Sequence, residues 1–162
     1  MQEIEQLKRD LKSYGYYKKL KVEVEIQLYQ LQQKIKRLQE PQSITYGEKS
    51  IATSTRESMI QIGSSNAERV QSLITTQLTL EKLKTEVDSE LTKLDLDVGL
   101  AALSDEQKII IERHYFEGVA FEFIGMQLHI SKSAAIRANK KALWTIYKKS
   151  EKSVRGSLNS LL

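Results

Sequence analysis

The stretch LSDEQKIIIERHYFEGVAFEFIGMQLHISKSAAIRANKKALWTI, Leu103 to Ile146, decides the fold. Ser104 with Gln107 three residues on forms an S-D-E-Q capping box, and Asp105 and Glu106 favour the positive end of a helix dipole. Ile109, Ile110, Ile111, Tyr115 and Phe116 supply more apolar surface than one face needs, so this first helix is expected to be buried on two sides. Glu117-Gly118 ends it, because glycine tolerates the left-handed conformation of a helix C-cap. A second helix, Ala120 to Leu128, places Phe121, Ile124 and Leu128 on one face, with Gly125 at a point of close helix approach. His129-Ile130-Ser131 reads as a turn in which Ile130 plugs the core and Ser131 caps a third helix. From Lys132 to Lys149, Ala135, Ala138, Ala142, Leu143 and Ile146 form an inward face, while Lys132, Ser133, Ile136, Arg137 and Lys140 face away. The pattern is that of a helix-turn-helix, whose outward residues near the start of the second helix enter the major groove of duplex DNA.

Charge is distributed to match. From Ser104 to Ile130 there are five acids (Asp105, Glu106, Glu112, Glu117, Glu122) against two bases (Lys108, Arg113). From Ser131 to Arg155 there are eight bases (Lys132, Arg137, Lys140, Lys141, Lys148, Lys149, Lys152, Arg155) against one acid, Glu151. The formal net charge of +4 is weakly basic and would not by itself point to a nucleic acid. A basic stripe that begins at the third helix is the footprint expected for phosphate contact.

Upstream, the chain reads as two long helices around a polar stretch, which makes the expected class all-α. In residues 1–40, apolar side chains recur at Leu20, Val24, Leu28, Leu31, Ile35 and Leu38, with steps of 4, 4, 3, 4 and 3 close to a coiled-coil period. Leu7, Leu11 and Tyr14 have similar spacing, and Gly15 is a candidate kink. Tyr14, Tyr16 and Tyr17, beside Lys18, Lys19 and Lys21, are expected to pack at the open end of a hairpin. Pro41 ends the segment by disfavouring helix at Glu40. Residues 41–65 are rich in Ser, Thr, Gly and Gln and read as a flexible loop with at most a short helix from Glu57 to Ile62. A second long helix is expected over 66–100, with Leu73, Leu80, Leu83, Val87, Leu91, Leu94 and Val98 on its apolar face. The two stripes fit either an antiparallel hairpin or a homodimer, and periodicity does not choose between them. The helix-turn-helix occupies 103–150, and 151–162 follow as a basic tail.

Other chemistry finds little footing. The chain has no cysteine, so no disulfide framework or thiolate zinc site is expected, and a reducing cytoplasm is the simplest setting. MQEIEQLKRD lacks the apolar core of a secretory signal, and no apolar run is long enough to span a membrane. His114 and His129, the only histidines, stand apart without Cys or paired carboxylates and are read as structural or surface residues, not metal ligands. Asp95 and Asp97 have no His, Ser-Gly elbow or phosphate loop near them in the sequence, so they read as solvated charge rather than acid-base catalysts. No cofactor and no enzymatic activity are expected. Trp144 is expected to pack against the bracing helix.

The string L-S-x-E-Q-x-x-I-I-x-x-x-Y-F-E-G, followed by I-G-x-x-L-x-I-S and K-K-A-L, resembles region 4 of bacterial sigma factors, which contacts the −35 promoter element. Among relatives of that region it is most similar to short phage and prophage sigma-like regulators of the ArpU and RinA late-activator type and to the positive control factor of Bacillus prophages. The resemblance spans Leu103 to Ile146 and implies promoter DNA as partner, with RNA polymerase as a second one. The chain departs from the family where Gly125 replaces a usual Ala, His129 a usual Gly, and Ala134-Ala135 a usual Thr-Val, so the family's base preference does not carry over.

Roles follow from side-chain chemistry. Arg137 is the first candidate for a base contact, since a guanidinium binds guanine O6 and N7 bidentately, with Lys132, Ser133, Ile136 and Lys140 as neighbours. Lys141, Lys148 and Lys149 are candidate phosphate contacts. Two functions remain open on the sequence: a sigma-like activator of phage late genes, and an oligomeric structural DNA-binding protein such as a small terminase subunit.

Overall fold

The computed structural model describes residues 2–39 and 55–159, with side-chain surroundings given for 2–39 and 66–150. The fold is all-α, with no strand among the described residues. Helix α1 spans Gln2–Gln39, α2 Thr55–Leu94, α3 Asp97–Ala101 and α4 Asp105–Ile111, which runs on into a π-helix, Glu112–Phe116. Helix α5 spans Phe121–Gln127 and α6 Lys132–Asn159. Two compact units result: one from Met1–Leu20 with Val87–Leu162, the other Lys21–Glu86.

In the second unit, Val24, Leu28 and Ile35 are buried on the face set by the spacing of the first stripe. Lys84 of α2 approaches Glu25 of α1 to 3.4 Å, an exposed ion pair that contributes little. Opposite the buried face, Val22, Ile26 and Tyr29 are exposed. The expectation for residues 41–65 falls largely outside the described residues, but α2 already begins at Thr55, ahead of the expected start at Asn66.

The first unit holds the main core. Leu7, Leu11 and Tyr14 of α1 bury with Leu96, Leu103, Ile111, Tyr115, Ala142, Leu143 and Ile146. Helix α1 is not broken at Gly15 and runs on through it to Gln39. The second long helix stops sooner than its apolar spacing suggests: Asp95 takes φ 44, and the chain restarts as the short α3. Within α3, Gly99 lies against α6, where an added Cβ would stand 2.8 Å from Cγ2 of Ile146. Burying Leu96 at this break, at 3% exposure, supplies apolar contact that offsets the left-handed residue before it.

Ser104 caps α4 as expected: its hydroxyl accepts from the Gln107 N–H at 3.4 Å, and the Gln107 side chain accepts from the Ser104 N–H at 3.2 Å. Ile110 and Ile111 are both fully buried; adjacent residues of a helix point about 100° apart, so α4 is enclosed on two sides. After Ile111 the helix widens, and the Glu117 N–H reaches the carbonyl of Glu112 at 3.1 Å, five residues back. Gly118, at φ 76, then turns the chain, and the Val119 N–H closes the end on the Arg113 carbonyl at 2.8 Å. His114 is structural: its Nδ1 is 2.9 Å from the Val119 carbonyl, and its ring stacks on Phe121 with centroids 3.9 Å apart.

Candidate nucleic-acid interface

The turn between α5 and α6 is specified atom by atom. The Ile130 N–H bonds to the Gly125 carbonyl at 2.9 Å and the His129 N–H to the Met126 carbonyl at 3.3 Å, the pair of bonds that defines a Schellman ending. His129 occupies its left-handed position at φ 55. Glycine would hold that position at lowest steric cost, so His129 carries a conformational cost there. Gly125 answers a different need: a Cβ there would lie 2.8 Å from the Ile130 carbonyl oxygen, so the close approach is between helix and turn. Ser131 then starts α6, its Oγ accepting from the Ala134 N–H at 3.2 Å and its carbonyl from the Ala135 N–H at 3.0 Å.

This turn sets the rotation of α6. Ala135, Asn139, Ala142, Leu143 and Ile146 are buried, and Ala138 is half-buried at the edge of the same face. Asn139 is the one buried polar side chain among the described residues, and its Nδ2 lies 3.3 Å from the Tyr115 hydroxyl. Burial pushes that hydroxyl above its ordinary value.

On the opposite side, Ser133, Arg137 and Lys141 follow at intervals of four and form one exposed row, flanked by Lys140, Trp144 and Lys148. Lys149 is exposed on another side of the helix. Lys132, at the first position of α6, leans toward α5 with its Nζ 3.9 Å from Glu122 Oε2. Ile136 is not on the outward row; it is half-buried and lines a groove between α1 and α6. Trp144 also departs from expectation. It is 55% exposed, edge-on to Tyr147, with the Lys148 ammonium 5.8 Å from its ring centre. Its position two residues before the buried Ile146 turns it about 200° around the helix from that contact.

Thus Lys132, Ser133, Arg137, Lys140, Lys141, Lys148 and Lys149 are all exposed, but only the row centred on Arg137, with its basic flanks, forms a coherent face. Arg113 pairs with Glu117 at 2.5 Å, so the bases and acids around the π-helix leave no comparable basic row there. Sequence reasoning missed Arg9 and Lys12 of α1, which stand at the same groove as Lys140. The signal was their spacing of three on the helix whose Leu7 and Leu11 enter the core. No family model matches the chain, and neither a curated protein nor a solved structure matches it.

Proposed function

We propose that this chain is a sequence-specific DNA-binding transcription regulator, a sigma-like activator of the phage and prophage type, which reads promoter DNA with α6 and acts on RNA polymerase bound there. The observation that carries the reading is the row Ser133, Arg137 and Lys141, exposed at the start of a helix that a Schellman turn and a serine cap hold in one orientation. Arg137, at the centre of the row, reads a base edge, while Lys141, Lys148 and Lys149 neutralise phosphates. Lys132, Ser133, Ile136 and Lys140 act as its neighbours, with Ile136 contributing from the groove side. The α1 and α2 segments of the second unit form an antiparallel hairpin, a reading supported by the pairing of Glu25 with Lys84 in one chain.

The test is run-off transcription from late-phage promoter fragments with the purified protein added to RNA polymerase core and to holoenzyme. Stimulation of holoenzyme alone is the expected result, and transcription from core would make the protein a sigma factor in its own right. Specific DNA binding without any transcriptional effect, together with a ring-sized oligomer in sedimentation, would overturn the proposal in favour of a packaging subunit.

A further inference from the structure

The groove of about 760 Å³ between the start of α1 and the middle of α6 carries an imbalance of charge. Four bases line it, Lys8, Arg9, Lys12 and Lys140, against two carboxylates. Both carboxylates are engaged within the protein: Glu5 pairs with Lys8 at 2.5 Å, and Glu3 accepts from the Tyr147 hydroxyl at 2.8 Å. Arg9, Lys12 and Lys140 are exposed and form no ion pair with a described residue. Lys140 also adjoins Lys141 and Arg137 of the exposed row, so the basic surface continues from that row, past exposed Trp144, to α1.

We infer that α1 is a second DNA-contacting element, with Arg9 and Lys12 binding the phosphate backbone of the duplex that α6 reads; this rests on the DNA-binding reading above. Three considerations favour a polyanion over a small ligand. Arg9, Lys12 and Lys140 are exposed and outside ion-pair distance of a described carboxylate, which suits phosphates that stay partly hydrated. The buried Asn139 amide oxygen on the floor is closed off from solvent, so it is not presented to a small ligand. Finally, Leu7 and Leu11 anchor this part of α1 in the core at 7% and 0% exposure, so Arg9 and Lys12 are held on a rigid helix. Phosphate contacts made from such a base fix the orientation of the duplex without reading its sequence.

The experiment measures binding of the full chain to a random-sequence duplex of about thirty base pairs by fluorescence anisotropy across a salt series. R9Q/K12Q removes both charges while leaving polar, helix-compatible side chains, and R69Q/K82Q removes the same charge from the second unit as a control. The expected result is a log–log salt slope flattened by about 2 for R9Q/K12Q, with affinity lowered at least tenfold at low salt, and little change for the control. Unchanged binding by R9Q/K12Q, or equal weakening in both double variants, would overturn the role of α1 while leaving DNA binding intact. Failure of the wild-type chain to bind any duplex would remove the DNA reading itself and this inference with it. Thermal melting of each variant, expected to match wild type, separates lost contact from lost fold; if R9Q/K12Q melts early, R9K/K12R, which restores both charges, must recover the wild-type slope.

Discussion

Gly15 of α1 stands directly against Phe116, the last residue of the π-helix: a Cβ built on Gly15 would lie 2.5 Å from Cδ1 and 2.7 Å from Cα of Phe116. The same residue receives two further contacts from α1. Lys19 Nζ donates to the Phe116 carbonyl at 2.7 Å, and the Tyr14 ring lies 5.7 Å from the Phe116 ring. In a helix interior Gly→Ala ordinarily stabilises by about 1 kcal/mol through backbone entropy and propensity. Here the added methyl meets backbone as well as ring, so neither a rotamer change nor a small shift relieves it. Gly15→Ala is expected to destabilise the fold by about 1–3 kcal/mol, the range for overpacking. Urea unfolding followed by circular dichroism checks the sign, and a raised midpoint would show that α1 is not seated on Phe116.

Tyr14 ties α1 to α3 as well, donating a hydrogen bond to Asp97 Oδ1 while the residue is 1% exposed. Burial first, and then this bond, push the hydroxyl above its ordinary value of 10.0. Tyr14→Phe keeps the ring packing and leaves Asp97, which is exposed, to be hydrated, so the expected loss is about 1–2 kcal/mol. The pH dependence has a definite sign. Because the folded value is raised, the contribution is complete below the unfolded value of 10 and is lost as pH rises beyond it, where the unfolded chain gives up the proton first. The gap between the unfolding midpoints of wild type and Tyr14→Phe should therefore hold up to about pH 10 and narrow from there to about pH 12, with the lysine titrations common to both chains cancelling in the difference. A constant gap over that window would contradict the assignment.

Local devices were legible in the sequence because each rests on residues close together in the chain. Ser104 with Gln107, Gly118 after Glu117, and Ser131 after the turn all perform the capping and turning expected of them. What covers an apolar face is another matter. Leu7, Leu11 and Tyr14 have the spacing of a coiled-coil seam, yet they complete a core with Leu103 and Ile146, because spacing reports which face is apolar and not the element that covers it. Trp144 and Ile136 exchanged their expected surroundings for a related reason. The rotation of α6 follows from the bonds of Ile130 and His129 to α5, and the groove beside Ile136 exists only once α1 is in place.

The α5–α6 turn offers two opposite glycine experiments. His129 holds φ 55, a conformation that costs an L-residue about 1 kcal/mol, and it makes no described side-chain contact that would offset the cost. His129→Gly should therefore stabilise by about 0.5–1 kcal/mol, once the added freedom of the unfolded glycine is subtracted. Gly125→Ala should do the reverse, since its methyl would press on the Ile130 carbonyl oxygen that the turn has placed there. If thermal melting shows both substitutions moving the transition the same way, the turn is held by something other than its backbone geometry.

Arg137 and Lys141 lie one helical turn apart on the same exposed row, and their different chemistry separates reading from holding. A guanidinium can meet both acceptors of a guanine edge, whereas a lysine ammonium on the same row serves equally well against any phosphate. Arg137→Ala is expected to weaken binding to the selected site by about 1–3 kcal/mol and to relax preference at one base position. Lys141→Ala should weaken selected and random duplexes alike and reduce the salt slope by about 1. The measurement is selection of bound sequences from a randomised duplex pool with each protein, followed by titration of the winning site and a scrambled one. An equal loss on both duplexes for Arg137→Ala would place Arg137 on the backbone and move the base contact to Ser133 or Lys140, whose own alanine variants would then have to carry the lost preference.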